Sequence, residues 1–273
     1  MCRHMDAANE LNLRGEFIMR VELDEKVAIV TGGGGFIGSA ICQDFAKNGA
    51  LVFVQGRDEA KIAETVRLIK ESGGSAYPLV GDVTDAKSVQ SMTSEAFDRF
   101  KRIDILINNA GINTGFEDRV TVDKFNDETW DRIISVDLEG VYLCSKYVSR
   151  HMIEANSGRI INIGSVAGVV ALRLQSAFVA AKSGMFGLTR AMAAELGQYG
   201  IQVNAIAPGS ITNARFNDAK NESLLSHIPL GRQGSASEVS AAALFLAAPE
   251  ASYISGAMLT VDGGWTCGFM RDW

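Results

Sequence analysis

From residue 27 onward the chain alternates short unbroken apolar runs with longer stretches whose apolar residues recur every three or four positions. The runs at 27–30, 51–54, 76–80, 103–107, 159–163, 202–207 and 258–261 predict strands. The periodic stretches at 36–47, 59–71, 86–100, 128–154, 176–196 and 238–246 predict helices. Stop signals punctuate them, Asn48-Gly49 after the first helix and Ser72-Gly73-Gly74 after the second. Strands that are apolar throughout, rather than on alternate residues, need cover on both faces. That describes a parallel sheet between two layers of helices. Right-handed crossovers then give a single-domain, Rossmann-like, doubly wound α/β fold. No repeat or linker divides it, so residues 25–273 are expected to form one dinucleotide-binding catalytic domain. Residues 1–24 carry no clear periodicity and are read as a loose N-terminal extension.

Composition narrows the function without choosing it. Of 273 residues, 47% are hydrophobic and 21% charged, the balance of a soluble globular protein. The net charge of -6 and the lack of a long Lys/Arg run argue against nucleic acid as a partner. No apolar run approaches a membrane span, and the first residues lack the apolar core of a signal peptide, so a cytoplasmic location without membrane contact is expected. Cys2, Cys42, Cys144 and Cys267 are scattered, which suggests neither a disulfide framework nor a zinc site. His151 and His227 lack the spacing of metal ligands, so no metal is expected.

The chemistry begins at Thr31-Gly32-Gly33-Gly34-Gly35-Phe36-Ile37-Gly38, between the first strand and the first helix. A dinucleotide pyrophosphate needs glycines there for a tight turn, for close backbone approach and for helix–strand packing. The helix N-terminus adds free N–H groups and partial positive charge. Gly32, Gly34, Gly35, Phe36, Ile37 and Gly38 are therefore candidate cofactor contacts. At the end of the second strand, Gly56 stands where an acidic side chain would bind an adenosine ribose, and Arg57 follows it. Arg57 suits a 2′-phosphate, which favours NADP(H) over NAD(H), although a solvated surface arginine would read the same.

Further along, Asn108-Asn109-Ala110-Gly111 follows the fourth strand, Ser165 follows the fifth, and Phe178-Val179-Ala180-Ala181-Lys182 lies on a helix. With the glycine loop, these segments resemble the short-chain dehydrogenase/reductase family, from about residue 26 to 264. The loop departs from the classical T-G-x-x-x-G-x-G pattern by placing Phe36 at a glycine position, and its spacing matches extended members instead. No extended substrate domain is expected after the last strand, and the segments downstream of the loop resemble the classical type.

The resemblance implies an Asn–Ser–Tyr–Lys active site, and two of its four members are altered. Phe178 replaces the tyrosine whose hydroxyl carries the proton, and Asp137, in Trp130-Asp131-Arg132-Ile133-Ile134-Ser135-Val136-Asp137-Leu138, replaces the asparagine. Ser165 lies thirteen positions before Phe178, in the family register, where it would bind the substrate oxygen. Lys182, one helical turn after Phe178, would hold the nicotinamide ribose. An aspartate at 137 would either pair with Lys182 or stand as a helix carboxylate that binds nothing. By the same resemblance Asp82 and Val83 hold the adenine edge. Asn109, Ala110 and Gly111 carry the strand beneath the cofactor, and Pro208, Gly209 and Ile211 lie near the nicotinamide. The implied activity is NAD(P)-dependent oxidation or reduction of a secondary alcohol or ketone, with a polyol, sugar, hydroxy acid or 3-oxoacyl compound as the small-molecule substrate.

A phenyl ring has no acidic proton, so three readings stay open. The residue is a substitution in an ordinary enzyme, or the chemistry has moved to non-net-redox lyase or isomerase turnover, or the protein binds nucleotide without turnover. The polar stretch 213–228 is read as a substrate-covering lobe. Trp265, Phe269 and Trp273 form an aromatic tail suited to a subunit contact, and the relatives are commonly homotetramers.

Overall fold

A computed structural model of the chain describes residues 21–113, 115, 117–212 and 222–268. Seven strands form one sheet: β1 (Val27–Val30), β2 (Leu51–Gly56), β3 (Ser75–Val80), β4 (Ile105–Asn108), β5 (Gly158–Ile163), β6 (Ile201–Pro208) and β7 (Met258–Val261). Their order is β3-β2-β1-β4-β5-β6-β7, and every pair is parallel. Between them run α1 (Phe36–Lys47), α2 (Glu59–Glu71), α3 (Ala86–Phe100), α4 (Asp127–Ile134), α5 (Gly140–Ala155), α6 (Ser176–Leu196), the one-turn α7 (Glu222–Leu225) and α8 (Ala236–Ala247).

The strands are apolar throughout because each of their faces meets a separate helical layer. Ala28 and Val30 pack with Ile41 and Phe45 of α1, Ile62 and Ile69 of α2, and Val239 of α8. Val27 and Ile29, on the alternate face, pack with Val89 of α3, Val148 and Met152 of α5, and Met192 of α6. β3 is an edge strand, and it carries Pro78, which has no N–H to give to a ladder. The order places β2 on one side of β1 and β4 on the other, so successive crossovers part above β1. The crevice at that switch point, over the carboxyl ends of the strands, is where such sheets bind ligands.

Two expectations change. The stretch read as one helix over 128–154 is interrupted between α4 and α5 by a π-helical turn, Ser135–Glu139, in which the Gly140 N–H bonds back to the Ser135 carbonyl. The extra residue turns Asp137 inward, and its side chain is fully buried. The N-terminal boundary also moves, since Val21 and Leu23 belong to the core. The Val21 N–H donates to Asn48 Oδ1 at 2.7 Å and the Leu23 N–H to the Asn48 carbonyl at 3.0 Å. The packed domain therefore includes residues from Val21 on, and residues 1–20 lie outside the described part. Within the polar 213–228 stretch α7 forms, while residues 213–221 lie outside the described part, as do Phe269 and Trp273 of the aromatic tail.

Candidate active site

The glycine loop is built to sit close to its neighbours. Gly32 adopts φ +62°, a left-handed conformation that a side chain would strain. A Cβ on Gly38 would overlap the Gly32 carbonyl, so α1 starts directly against the strand end. Gly35 caps α1 without a side-chain hydrogen bond, which leaves the N–H groups of the first turn facing the crevice for an acceptor brought by a ligand. Asn109 is the strut of this loop. Its Nδ2 donates to the carbonyls of Thr31 and Gly32 at 2.9 and 3.1 Å, and its backbone N–H donates to Thr31 Oγ1 at 2.9 Å.

A cleft of about 610 Å³ opens over these elements. Gly32, Gly34, Gly35, Phe36, Ile37, Gly38, Arg57, Asp82, Val83, Asn109, Ala110 and Gly111 all line it. Phe36, in place of a glycine, begins α1 and is 46% exposed, so the ring is accommodated in the cleft wall rather than in the loop's packing. At one end Arg57 Nη1 lies 3.4 Å from Asp82 Oδ2. Burial opposes ionisation of Asp82, but the Thr84 N–H and hydroxyl together with Arg57 outweigh it and hold the carboxyl below the usual range.

Several cleft residues escaped the sequence reading. Lys61, on the first turn of α2, lies at the Arg57 end, with its Nζ paired to Asp58 Oδ2 at 3.4 Å, and Asp58 lines the cleft too. Gln55 is 1% exposed; its Nε2 donates to the Gly81 carbonyl at 2.6 Å, while its Oε1 has no partner. Lys61 follows no motif spacing, and Gln55 reads as one more residue of a buried strand, so neither gave a signal.

At the opposite end lie Gly111, Ile112 and Val136. Beneath them Asp137 Oδ2 and Lys182 Nζ form an ion pair at 2.9 Å, with side chains 0% and 5% exposed. The Ile112 N–H donates to Asp137 Oδ1 at 2.7 Å, and Lys182 Nζ also reaches the Ile163 carbonyl at 3.5 Å. Of the two readings of Asp137, the paired one is therefore the structure's. Burial pushes the Asp137 carboxyl above its ordinary range, against the pull of Lys182 and of the Ile112 N–H. The Phe178 ring centre is 5.6 Å from Lys182 Nζ, and the ring is buried in an apolar cluster with Ile133, Ala167, Ala177 and Ala181. Ser165 follows β5 at the same end of the sheet, and its Oγ accepts the Ala167 N–H at 3.1 Å.

Pro208, Gly209 and Ile211 are not among the residues lining the cleft. Gly209 donates its N–H to the Val261 carbonyl at 2.9 Å, and Ile211 bridges to Gly234, so this turn is tied to β7 and the start of α8. No group of three His, Cys, Asp or Glu side chains among the described residues is placed to hold a metal. His151 stacks on Phe97 at 4.0 Å, and His227 Nδ1 contacts the Ser223 carbonyl. No helix among the described residues is long and apolar enough to cross a membrane.

A family model described as Enoyl-(Acyl carrier protein) reductase matches residues 35–266. The 3-oxoacyl-[acyl-carrier-protein] reductase FabG of Vibrio harveyi is 38% identical over 247 residues, which cover 89% of this chain and 98% of that protein. The chain belongs to the short-chain dehydrogenase/reductase family. Galactitol 2-dehydrogenase (L-tagatose-forming) of Cereibacter sphaeroides is 39% identical over 252 residues, covering 89% and 96%. Among solved structures, a gluconate 5-dehydrogenase from Burkholderia cenocepacia in complex with NADP and tartrate superposes with a TM-score of 0.85. It is 35% identical, over 91% of this chain and 98% of that one. Membership makes the chain an oxidoreductase of the NAD(P)-binding short-chain dehydrogenase type. The cleft fits such a nucleotide, with a bare helix N-terminus for the pyrophosphate and an unpartnered Gln55 Oε1 on the adenosine side.

Proposed function

We propose that the protein is an NADP(H)-favouring dehydrogenase/reductase of small secondary alcohols and ketones, of the polyol, sugar-acid or 3-oxoacyl kind. The observation that carries the reading is the buried Asp137–Lys182 pair at the inner end of the cleft. The polyol, gluconate and 3-oxoacyl relatives support the substrate range. Gly56, Arg57 and Lys61 at the outer end support the 2′-phosphorylated nucleotide, because no carboxylate occupies position 56 to repel it.

In this reading the glycine loop and the α1 N-terminus hold the pyrophosphate, and Asp82 and Val83 face the adenine. Lys182 binds the nicotinamide ribose. The nucleotide held there would supply hydride-transfer chemistry. Ser165 Oγ orients the substrate oxygen. Phe178 gives no proton, so transfer to or from that oxygen falls to water held near Lys182 and Asp137. Losing a positioned general acid costs about 10²–10⁴ in rate, which leaves room for a slow enzyme. The protein acts as a homotetramer in the cytoplasm, with the Trp265 end at a subunit contact.

The experiment is a panel of polyols, sugar acids and 3-oxoacyl thioesters, with both nucleotides, followed at the reduced-nicotinamide absorbance. Turnover with any pair supports the reading. Nucleotide binding with no turnover by the chain or by Phe178→Tyr would replace it with a non-catalytic nucleotide-binding protein. Product formation without net nucleotide consumption would replace it with lyase or isomerase chemistry.

A further inference from the structure

Both ends of the cleft carry paired charges, Arg57 with Asp82 and Lys61 with Asp58 at one and Lys182 with Asp137 at the other. Adenosine belongs at the Arg57 end, because the ribose is read at the end of β2 and the pyrophosphate lies on the α1 N-terminus. The nicotinamide half therefore lies toward Gly111, Ile112 and Val136. Gly111 is the floor there. A Cβ built on it would stand 3.2 Å from Asp137 Oδ2 and 3.3 Å from Lys182 Nζ, so a bare backbone is all that residue 111 puts between the ion pair and the cleft.

The oxidised nicotinamide ring carries a positive charge and the reduced ring carries none. A buried lysine alone would repel the oxidised ring, and in a poorly screened site that repulsion is strong. Here the ammonium is cancelled at 2.9 Å by a carboxylate that also accepts the Ile112 N–H. Those two contacts act on the ionised form of Asp137. Building on the dinucleotide reading of the cleft, we propose that Asp137 sets the redox-state preference of the site. By neutralising Lys182, it selects the oxidised nucleotide over the reduced one.

The test is a binding measurement that needs no substrate. Dissociation constants of the full chain for NADP⁺, NADPH, NAD⁺ and NADH are measured by calorimetry and nicotinamide fluorescence, for the chain as given and for Asp137→Asn. Contacts to the phosphates and riboses are common to both redox states and cancel in the ratio of constants. Asp137→Asn should weaken the oxidised form relative to the reduced form by about tenfold, the scale of one uncompensated charge at partial screening. The double variant Asp137→Asn/Lys182→Met is neutral again, and its ratio should return toward that of the chain as given even though both forms bind less tightly. Asp137→Ser replaces the asparagine variant if thermal melting shows the latter unfolded.

A ratio that moves less than twofold in Asp137→Asn overturns the proposal. So does a ratio that moves and stays moved in the double variant, since that would mark a packing effect rather than a charge effect. If none of the four nucleotides binds the chain as given, the dinucleotide reading fails first and takes this inference with it.

Discussion

Arg57 and Asp82 face each other at the outer end of the cleft, guanidinium to carboxylate at 3.4 Å, with the arginine side chain 68% exposed. An ion pair this exposed is worth about 0–1 kcal/mol, so an incoming 2′-phosphate can exchange for Asp82 at small cost. Gly56 beside them has room: a Cβ there would meet Ile62 side-chain atoms at 3.4 and 3.5 Å, ordinary contact distances. Gly56→Asp should fold normally and reverse the preference, weakening NADP⁺ by about tenfold or more while NAD⁺ gains a ribose acceptor. Arg57→Ala should weaken NADP⁺ alone. Parallel titrations with both nucleotides check this, and equal effects on the two would remove the assignment of Arg57.

Gly38→Ala puts a methyl group into the carbonyl oxygen of Gly32, which the Asn109 amide also holds in place. Neither backbone can retreat, because Gly32 is followed by the tight turn and Gly38 lies on α1. A loss of about 1–3 kcal/mol in stability is expected from such overpacking. Nucleotide affinity should fall with it, since the same shift displaces the first turn of α1. Urea unfolding and a nucleotide titration on one preparation measure both, and unchanged stability would mean that the loop yields more easily than its packing implies.

What the sequence made legible follows from which forces are local. Buried parallel strands leave unbroken apolar runs, and the predicted helices at 59–71, 86–100 and 176–196 coincide with α2, α3 and α6. The glycine loop was readable because its backbone geometry excludes side chains. The π-turn at Ser135–Glu139 was hidden, since one extra residue in a helix leaves the apolar rhythm on either side intact. Val21 and Leu23 are two separated apolar residues, too few to show a period, yet both are buried. Lys61 and Gln55 reach the cleft only through tertiary packing of β2 and α2. Pro208, Gly209 and Ile211, which the family register places near the nicotinamide, are tied to β7 by a hydrogen bond and to the start of α8 by the bridge to Gly234, contacts that leave no mark in the sequence.

Phe178 fills an apolar cluster and also stands 5.6 Å from Lys182 Nζ, so size and chemistry at this position can be varied separately. Phe178→Ala should cost about 3–5 kcal/mol of stability through the cavity it leaves. Phe178→Tyr keeps the ring and adds a hydroxyl beside the ammonium. Turnover of the best alcohol or ketone should rise by about 10²–10⁴ as a positioned acid is restored. Steady-state kinetics with a melting control decide the matter, and a tyrosine variant that folds, binds nucleotide and gains no rate would show that proton transfer has moved elsewhere.

The start of α8 gives a prediction in pH. Ser235 and Glu238 form a capping box, the Ser235 N–H donating to Glu238 Oε2 at 2.8 Å and the Glu238 N–H to Ser235 Oγ at 3.3 Å. Arg232 Nη2 adds an ion pair to Glu238 Oε1 at 2.7 Å. Arg232 first, and then the Ser235 groups, overcome partial burial and pull the Glu238 carboxyl from an ordinary 4.5 down to about 2. A carboxyl depressed in the folded state stabilises it fully above the ordinary value, and that stabilisation is lost as pH falls toward about 2. Because the Glu238 side chain is 41% exposed, solvent screening limits its contribution to about 1 kcal/mol. Glu238→Gln should therefore be less stable than the unmodified chain by about that amount at pH 7. The gap should narrow steadily below pH 4.5, where protonation removes the charge from the chain as given. Urea denaturation of both proteins at pH 7, 4 and 3 measures the gap, and one that stays constant across that range would assign the effect to the cap's geometry rather than to its charge.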